Sequence, residues 1–326
     1  MSQLISYCFP RSREDQSNPL ERRISRGGGE SQSRAFTWRR LVSSYWSDWV
    51  FIGALWIIYL SISRIPGHRR EFSLRELSLQ HSYAEDERVP ENMLMFITVG
   101  LPLIVMLPVA SFVARNAWDV HNAVCGLFMS FTMAGVITQA IKLLVGRPRP
   151  DLIARCQPPP GQQDSPVYGL SNWKMCTQKD FYVLNDGFKS FPSGHSSLSF
   201  AGVGFLALYL AGKMHLWDVY GNRNRAWFAL SPLLIGAMVA ISRTQDNRHH
   251  WQDVLVGSLL GMCVATIAYR TYYPHLAHPT CHLPMLPRVA SDDTDDQVDL
   301  ETGVRLLNDQ QGIPRQSEEE EVWRRA

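Results

Sequence analysis

Three short polar clusters interrupt the apolar runs of this chain: 142–150 (KLLVGRPRP), 192–197 (PSGHSS) and 242–253 (SRTQDNRHHWQD). Lys, Arg, His and Asp are costly beside hydrocarbon, so their presence there points to a function. Together the clusters supply fixed cations for an anion, a helix start rich in small residues, and two separated histidine positions. That inventory suits phosphoryl transfer, which rests on positioning and charge stabilisation.

In the first cluster, Lys142 falls near the end of an apolar run, where a lysine snorkelling to the headgroups is the plain alternative. Gly146, Pro148 and Pro150 end the helix and leave Arg147 and Arg149 on a stiff extended segment. Guanidinium groups held that way bind phosphate oxygens bidentately. In the second, Ser193 and Gly194 open a helix whose first-turn N–H groups and positive end form an anion site. Ser193 equally suits a simple N-cap. His195, in that first turn, is an acid or base near neutral pH. In the third, Arg243 follows a helix end, and Asp253 stands four residues after His249 and three after His250. Either pairing fits a helix, and a carboxylate partner would fix the histidine tautomer. Asp246 is a weaker candidate for that role. A metal site built from His249, His250 and Asp253 is disfavoured, because adjacent helical residues point about 100° apart.

The elements that must position these groups are apolar runs at roughly 49–63, 93–113, 120–145, 196–212, 226–242 and 254–273. A bilayer core takes about 20 apolar residues per helix. The second, third and sixth runs meet that length. The first and fifth borrow flanking residues such as Tyr45, Trp46 or Trp227 at the interface. Pro102 and Pro108 should kink the second. Six crossings put all three clusters on one face of the membrane: the first ends helix three, the second opens helix four, and the third joins helices five and six. The loop over 146–194 is long and Pro-rich, as binding loops often are.

The fold class that follows is all-α, a bundle of six transmembrane helices with disordered polar termini. Residues 1–45, Arg-rich with a GGG tract, form a disordered cytosolic arm; 46–275 form the membrane domain; 276–326 form an acidic, disordered cytosolic tail. The first apolar run lies too far in for an ordinary cleaved signal peptide. A net charge of +2 on 326 residues gives no reason to expect nucleic acid as a partner. Six cysteines show no zinc spacing. Cys156 and Cys176 share one loop: they bond if it faces an oxidising lumen, and otherwise stay free thiols. Arginines in the N-terminal arm, with Arg115, Lys213, Arg223 and Arg225, favour cytosolic termini. Arg64, Arg69, Arg70, Arg75 and Arg88 oppose that orientation, and nothing in the sequence specifies an oligomer.

The motifs Lys142-x6-Arg149-Pro150, Pro192-Ser193-Gly194-His195 and Ser242-Arg243-x5-His249-x3-Asp253 resemble the tripartite signature of the type 2 phosphatidic acid phosphatases. That superfamily also holds vanadium haloperoxidases and glucose-6-phosphatase-type enzymes. GRPRPDLIARCQP and GFKSFPSGHSS resemble its fungal and plant lipid phosphate phosphatase branch, including diacylglycerol pyrophosphate phosphatase. The resemblance implies a haloperoxidase-like helical core and an enzyme that works without Mg²⁺ or any other cofactor. Its substrate would be phosphatidate, lysophosphatidate or diacylglycerol pyrophosphate drawn laterally from the membrane, with the site on the lumenal or extracellular side. It selects His249 as nucleophile over His250, with a phosphohistidine intermediate, Asp253 orienting the ring and His195 protonating the leaving oxygen. It selects Arg149 over Arg147, so that Lys142, Arg149, Arg243 and the Ser193 and Gly194 amides hold the phosphate. Many relatives in the branch carry an aromatic residue where Asn247 stands. Rival readings are a phosphatase for sphingoid-base phosphate or isoprenoid pyrophosphate, a non-catalytic lipid-phosphate-binding membrane protein and, more weakly, a transporter.

Overall fold

The computed structural model describes residues 38–217, 223–285 and 287–288. The arm before residue 38 and the tail from 289 onward lie outside the described residues. Among the described residues there is no strand, only one isolated bridge between Phe72 and Ser171. Six helices among the described residues are long and apolar enough to cross a membrane: α1 Trp38–Ser63, α2 Glu91–Ala114, α3 Ala117–Val145, α4 Gly194–Lys213, α5 Ala226–Gln245 and α6 Trp251–Tyr272.

The helix α1 begins at Trp38, ahead of the boundary expected at 46. The reason is periodic: Leu41, Ser44, Tyr45, Asp48, Ile52 and Leu55 are its buried residues, a single stripe at helical spacing. At the other end, the chain beyond 276 also departs from the expected disorder. Cys281 is buried, Met285 N–H donates to the Tyr272 carbonyl at 2.9 Å, and Arg288 grips Asp48 of α1 at 2.7 and 3.0 Å. In α2 the two prolines are accommodated by wider turns, Phe96–Gly100 before Pro102 and Val109–Ala114 after Pro108. A proline cannot donate to the helix ladder, and a π turn is one way to absorb the lost bond.

The helix at the centre is α4, packed on α2, α3, α5 and α6. Of its apolar window 72 % is buried, against 17 % for α1, whose outer side is left to lipid. Contact with α6 is closest, because Gly257 and Gly261 bring backbone against backbone. A Cβ at Gly257 would lie 2.6 Å from the Ser193 carbonyl oxygen, and one at Gly261 would lie 2.2 Å from that of Ser197. Small residues four apart are the usual means of close helix approach in lipid, where burial alone gives little drive.

Two loops, 64–90 and 146–193, fold together over one end of the bundle. Phe72 and Ser171 exchange backbone bonds at 3.1 and 2.7 Å. Asp164 accepts from Ser73 Oγ and Ser171 Oγ, both at 2.7 Å. Beneath lies a small core of Phe72, Leu79, Leu152, Cys156, Leu184 and Phe188. Cys156 and Cys176 form a disulfide across the longer loop. Gly146 ends α3 at φ +59°, where the His68 carbonyl would sit 2.2 Å from any Cβ, so both conformation and space call for glycine.

The α4–α6 contact predicts that Gly261→Ala destabilises by about 1–3 kcal/mol, as overpacking typically does. The measurement is the melting temperature of the purified protein in detergent. An unchanged midpoint would show that the two helices do not depend on this approach.

Candidate active site

The three clusters converge at the end of the bundle that the two loops cover. Ser193 caps α4: its hydroxyl accepts from Ser196 N–H at 3.4 Å and from Ser196 Oγ at 3.0 Å. The amides of Gly194 and His195 occupy the first turn, where helix geometry offers no internal partner. Lys142, in the last turn of α3, reaches the same spot. Its ammonium would lie 3.1 Å from a Cβ at Gly194, so the absent side chain makes room for it.

Arg147 and Arg149 part company. Arg147 Nη1 donates to Asp253 Oδ1 at 2.6 Å. Arg149 is buried, its backbone N–H donates to the Gly187 carbonyl at 2.8 Å, and Nη2 donates to Asp186 Oδ1 at 2.8 Å. Its Nε has no partner among the described residues.

The adjacent histidines separate as well. His250 is the N-cap of α6, and its backbone N–H donates to Asp253 Oδ2 at 3.0 Å. Its ring lies 3.3 Å from the same oxygen. His249 is buried and turned toward the cations. Its Nδ1 is 2.7 Å from the Ser190 carbonyl, which can only accept, so Nδ1 carries the proton and Nε2 keeps the lone pair. Burial above all, and then the positive charges of Arg149 and Lys142, hold its pKa well below the ordinary histidine value. At neutral pH this ring is an unprotonated base.

Direct orientation of His249 by Asp253 is not what the geometry gives. The nearest Asp253 oxygen is 4.0 Å from His249 Nδ1. Asp253 instead accepts from Ser190 Oγ at 2.6 Å, and its own carbonyl accepts from Ser193 N–H at 3.0 Å. It reaches the imidazole through Ser190, whose carbonyl faces the ring. The sequence reading missed Ser190, although it sits only two residues before Pro192.

Arg243 is fully enclosed. Nη2 donates to Asp246 Oδ2 at 2.6 Å and Nη1 to Glu87 Oε2 at 2.8 Å. Asp246 is therefore the partner of Arg243 and, at 3.2 Å, of Arg88 Nε, not of either histidine. His195 Nε2 lies 3.1 Å from the Val89 carbonyl and 3.3 Å from Arg243 Nη1. One of these neighbours accepts and the other donates, so Nε2 has a partner in either tautomer. Asn247 takes a left-handed conformation at φ 52° and donates to the Ser82 carbonyl at 3.3 Å. Asparagine tolerates that region better than a bulky ring does.

Four more groups border the site with no sequence signal of their own. Asp186 accepts from Arg149 and, at 3.0 Å, from Arg155 Nη1. Burial opposes its charge, but Arg149 and Arg155 outweigh that and keep its pKa below the ordinary carboxylate value. Arg248 links Glu87 at 3.2 Å with Asp186 at 3.8 Å. The arrangement is a dense field of cations around one neutral imidazole, suited to holding a multivalent anion against a nitrogen nucleophile.

Residues 123–276 match the family model described as PAP2 superfamily. Lipid phosphate phosphatase 2 of Arabidopsis thaliana is 40 % identical over 230 residues, 70 % of this chain and 77 % of its own length. Probable diacylglycerol pyrophosphate phosphatase 1 of Schizosaccharomyces pombe is 36 % identical over 245 residues, covering 73 % of this chain and 85 % of that one. Diacylglycerol pyrophosphate phosphatase 1 of Saccharomyces cerevisiae is 37 % identical over 238 residues, covering 72 % and 79 %. No solved structure matches the chain.

The depressed pKa of His249 carries a signed consequence. Unfolding releases an imidazole that binds a proton below about pH 6.5, while the folded ring does not until much lower pH. Stability from this group is therefore full above that pH and falls as the solution is acidified, by up to about 1.4 kcal/mol per pH unit. His249→Gln should flatten the fall in melting temperature between about pH 6.5 and 5. Parallel curves for the two proteins would mean that the ring is not held neutral.

Proposed function

This chain belongs to the PAP2 superfamily, and we propose that it is a membrane lipid phosphate phosphatase working through a phosphohistidine. The observation that carries this reading is His249, neutral and with Nε2 available, set among Lys142, Arg149 and Arg243. Relatives named lipid phosphate phosphatase and diacylglycerol pyrophosphate phosphatase support phosphatidate, lysophosphatidate and diacylglycerol pyrophosphate as substrates.

In the proposed reaction, the His249 Nε2 lone pair forms a bond to phosphorus as the bond from phosphorus to the lipid oxygen breaks. The leaving oxygen takes the Nδ1 proton of His195, whose protonation the negative charge of the bound phosphate favours. Nε2–H of His195 stays on the Val89 carbonyl throughout and holds the ring in place. Water then attacks the phosphohistidine, gives its proton back to His195, and His249 leaves phosphorus. Lys142, Arg149, Arg243 and the first-turn amides of α4 spread the charge of the equatorial oxygens, the task divalent cations perform in other phosphotransferases. Asp253 keeps the Ser190 carbonyl against His249, which fixes the tautomer and stabilises the imidazolium-like ring of the intermediate.

The site face is proposed to be lumenal or extracellular, with both termini cytosolic. The Cys156–Cys176 disulfide in the loop over the site supports that orientation, since such bonds persist in oxidising compartments. Substrate arrives within the leaflet, with its acyl chains remaining in the bilayer.

Purified protein should release inorganic phosphate from phosphatidate in micelles containing EDTA, and His249→Ala should lower that rate by roughly a thousandfold or more. An acid-labile, base-stable phosphoryl group should be trapped on the unaltered protein and not on the variant. Undiminished turnover by His249→Ala would remove the mechanism.

A further inference from the structure

Every nitrogen of the Arg243 guanidinium already has an acceptor, which leaves one N–H on each Nη for a further ligand. Nη1 is engaged by Glu87 at 2.8 Å, Nη2 by Asp246 at 2.6 Å, and Nε lies 3.4 Å from Ser242 Oγ. Two carboxylates already face one guanidinium. A phosphate with about two negative charges is repelled by both, so the anion binds more tightly if one carboxylate yields to it.

The surroundings decide which. Asp246 is buried, stands three residues from Arg243, and is gripped by Arg88 through backbone N–H at 3.1 Å and Nε at 3.2 Å. Glu87 comes from the loop before α2, and its side chain is 27 % exposed, so it has solvent to turn into. Its other anchor, Arg248, is also held by the Ala84 carbonyl at 2.9 Å and lies near Asp186, and so keeps partners when Glu87 leaves. Asp186, the carboxylate on Arg149, is held by a second arginine in the same way, Arg155 at 3.0 Å, but it is not a partner of Arg243.

We propose that Glu87 is a tethered competitor for the phosphate position on Arg243, a carboxylate that gives way to the phosphoryl group and reclaims the guanidinium afterwards. This rests on the phosphatase reading of the same site. A tethered group competes at high effective concentration. It lowers the affinity of the site for every phosphate anion, which favours release of the product and keeps the abundant phosphodiester headgroups of a bilayer from saturating it. Glu87 also sits 3.8 Å from His195 Nε2, so turnover alone would mix two effects. Binding separates them.

The experiment is calorimetric titration of inorganic phosphate into the detergent-purified chain carrying His249→Ala, with Glu87 intact or changed to Gln. Glu87→Gln should tighten phosphate binding by about tenfold, a modest part of what one unit charge is worth a few ångströms from a buried guanidinium. Glu91→Gln, the same charge change on a neighbouring exposed residue, should leave the affinity as it was. Equal or weaker binding in Glu87→Gln, with an elution profile matching the parent, overturns the proposal, because a residue that merely orients Arg243 would lose affinity when neutralised. Tightening by Glu91→Gln to the same extent would also overturn it, since the effect would then be general charge. Failure of the phosphatase reading shows separately, as absent phosphatidate hydrolysis by the unaltered protein.

Discussion

One carboxylate ties the three clusters into a single site. Asp253, with no exposed surface, binds Arg147 of the first cluster, Ser190 at the threshold of the second, and the backbone of His250 in its own. Its carbonyl takes the N–H of Ser193, which fixes α6 against the start of α4. A buried charge is tolerable only when it is paired and its oxygens are satisfied, and losing a partner from such a group costs far more than an exposed pair is worth. Each segment that reaches Asp253 is therefore pinned in position. The register of His249, the helix start and the arginine segment all follow from that constraint.

The remaining charges obey the same logic with a different outcome. Lys142, Arg149, Arg155, Arg243 and Arg248 crowd one end of the bundle, where unbalanced positive charge would drive the loops apart. Glu87 and Asp186 arrive from two separate loops and offset it. The disulfide and the small core of Phe72, Leu152 and Phe188 hold those loops down, so the counter-charges come already positioned. Below them, the glycine contacts of α6 keep α4 at a distance where its amides, Lys142 and His249 share one space.

Much of this was legible in the chain because chemistry and hydrophobicity alternate so sharply along it. The number of helices, the shared face and the motif residues all follow from apolar length and polar interruption. What escaped lay in tertiary contacts that no spacing encodes. His249 and Asp253 are four apart, which on a helix implies contact, but α6 begins at Trp251 and His249 stands before it. Helical geometry therefore does not apply to the pair, and a backbone carbonyl from another segment takes the hydrogen bond. Glu87 was unreadable for a similar reason: nothing in EDERVP marks which acid turns toward Arg243. Arg147 and Arg149, alike in the sequence, are drawn apart by two different carboxylates, Asp253 and Asp186.

The same contacts account for the puzzle of orientation. Arginines in the loop before α2 weigh against placing that loop outside, if each counts as a free positive charge. Two of them are not free. Arg88 bonds Asp246 and Gln245, and the Arg69 guanidinium lies 3.9 Å from the centre of the Trp173 ring and 4.8 Å from that of Phe181. Such residues are engaged in holding the loops together, so their number does not report the side of the membrane alone. A phosphate-binding face is basic wherever it lies. The arginine count in that loop is therefore weak evidence on topology, and the proposed orientation rests on the Cys156–Cys176 pair instead.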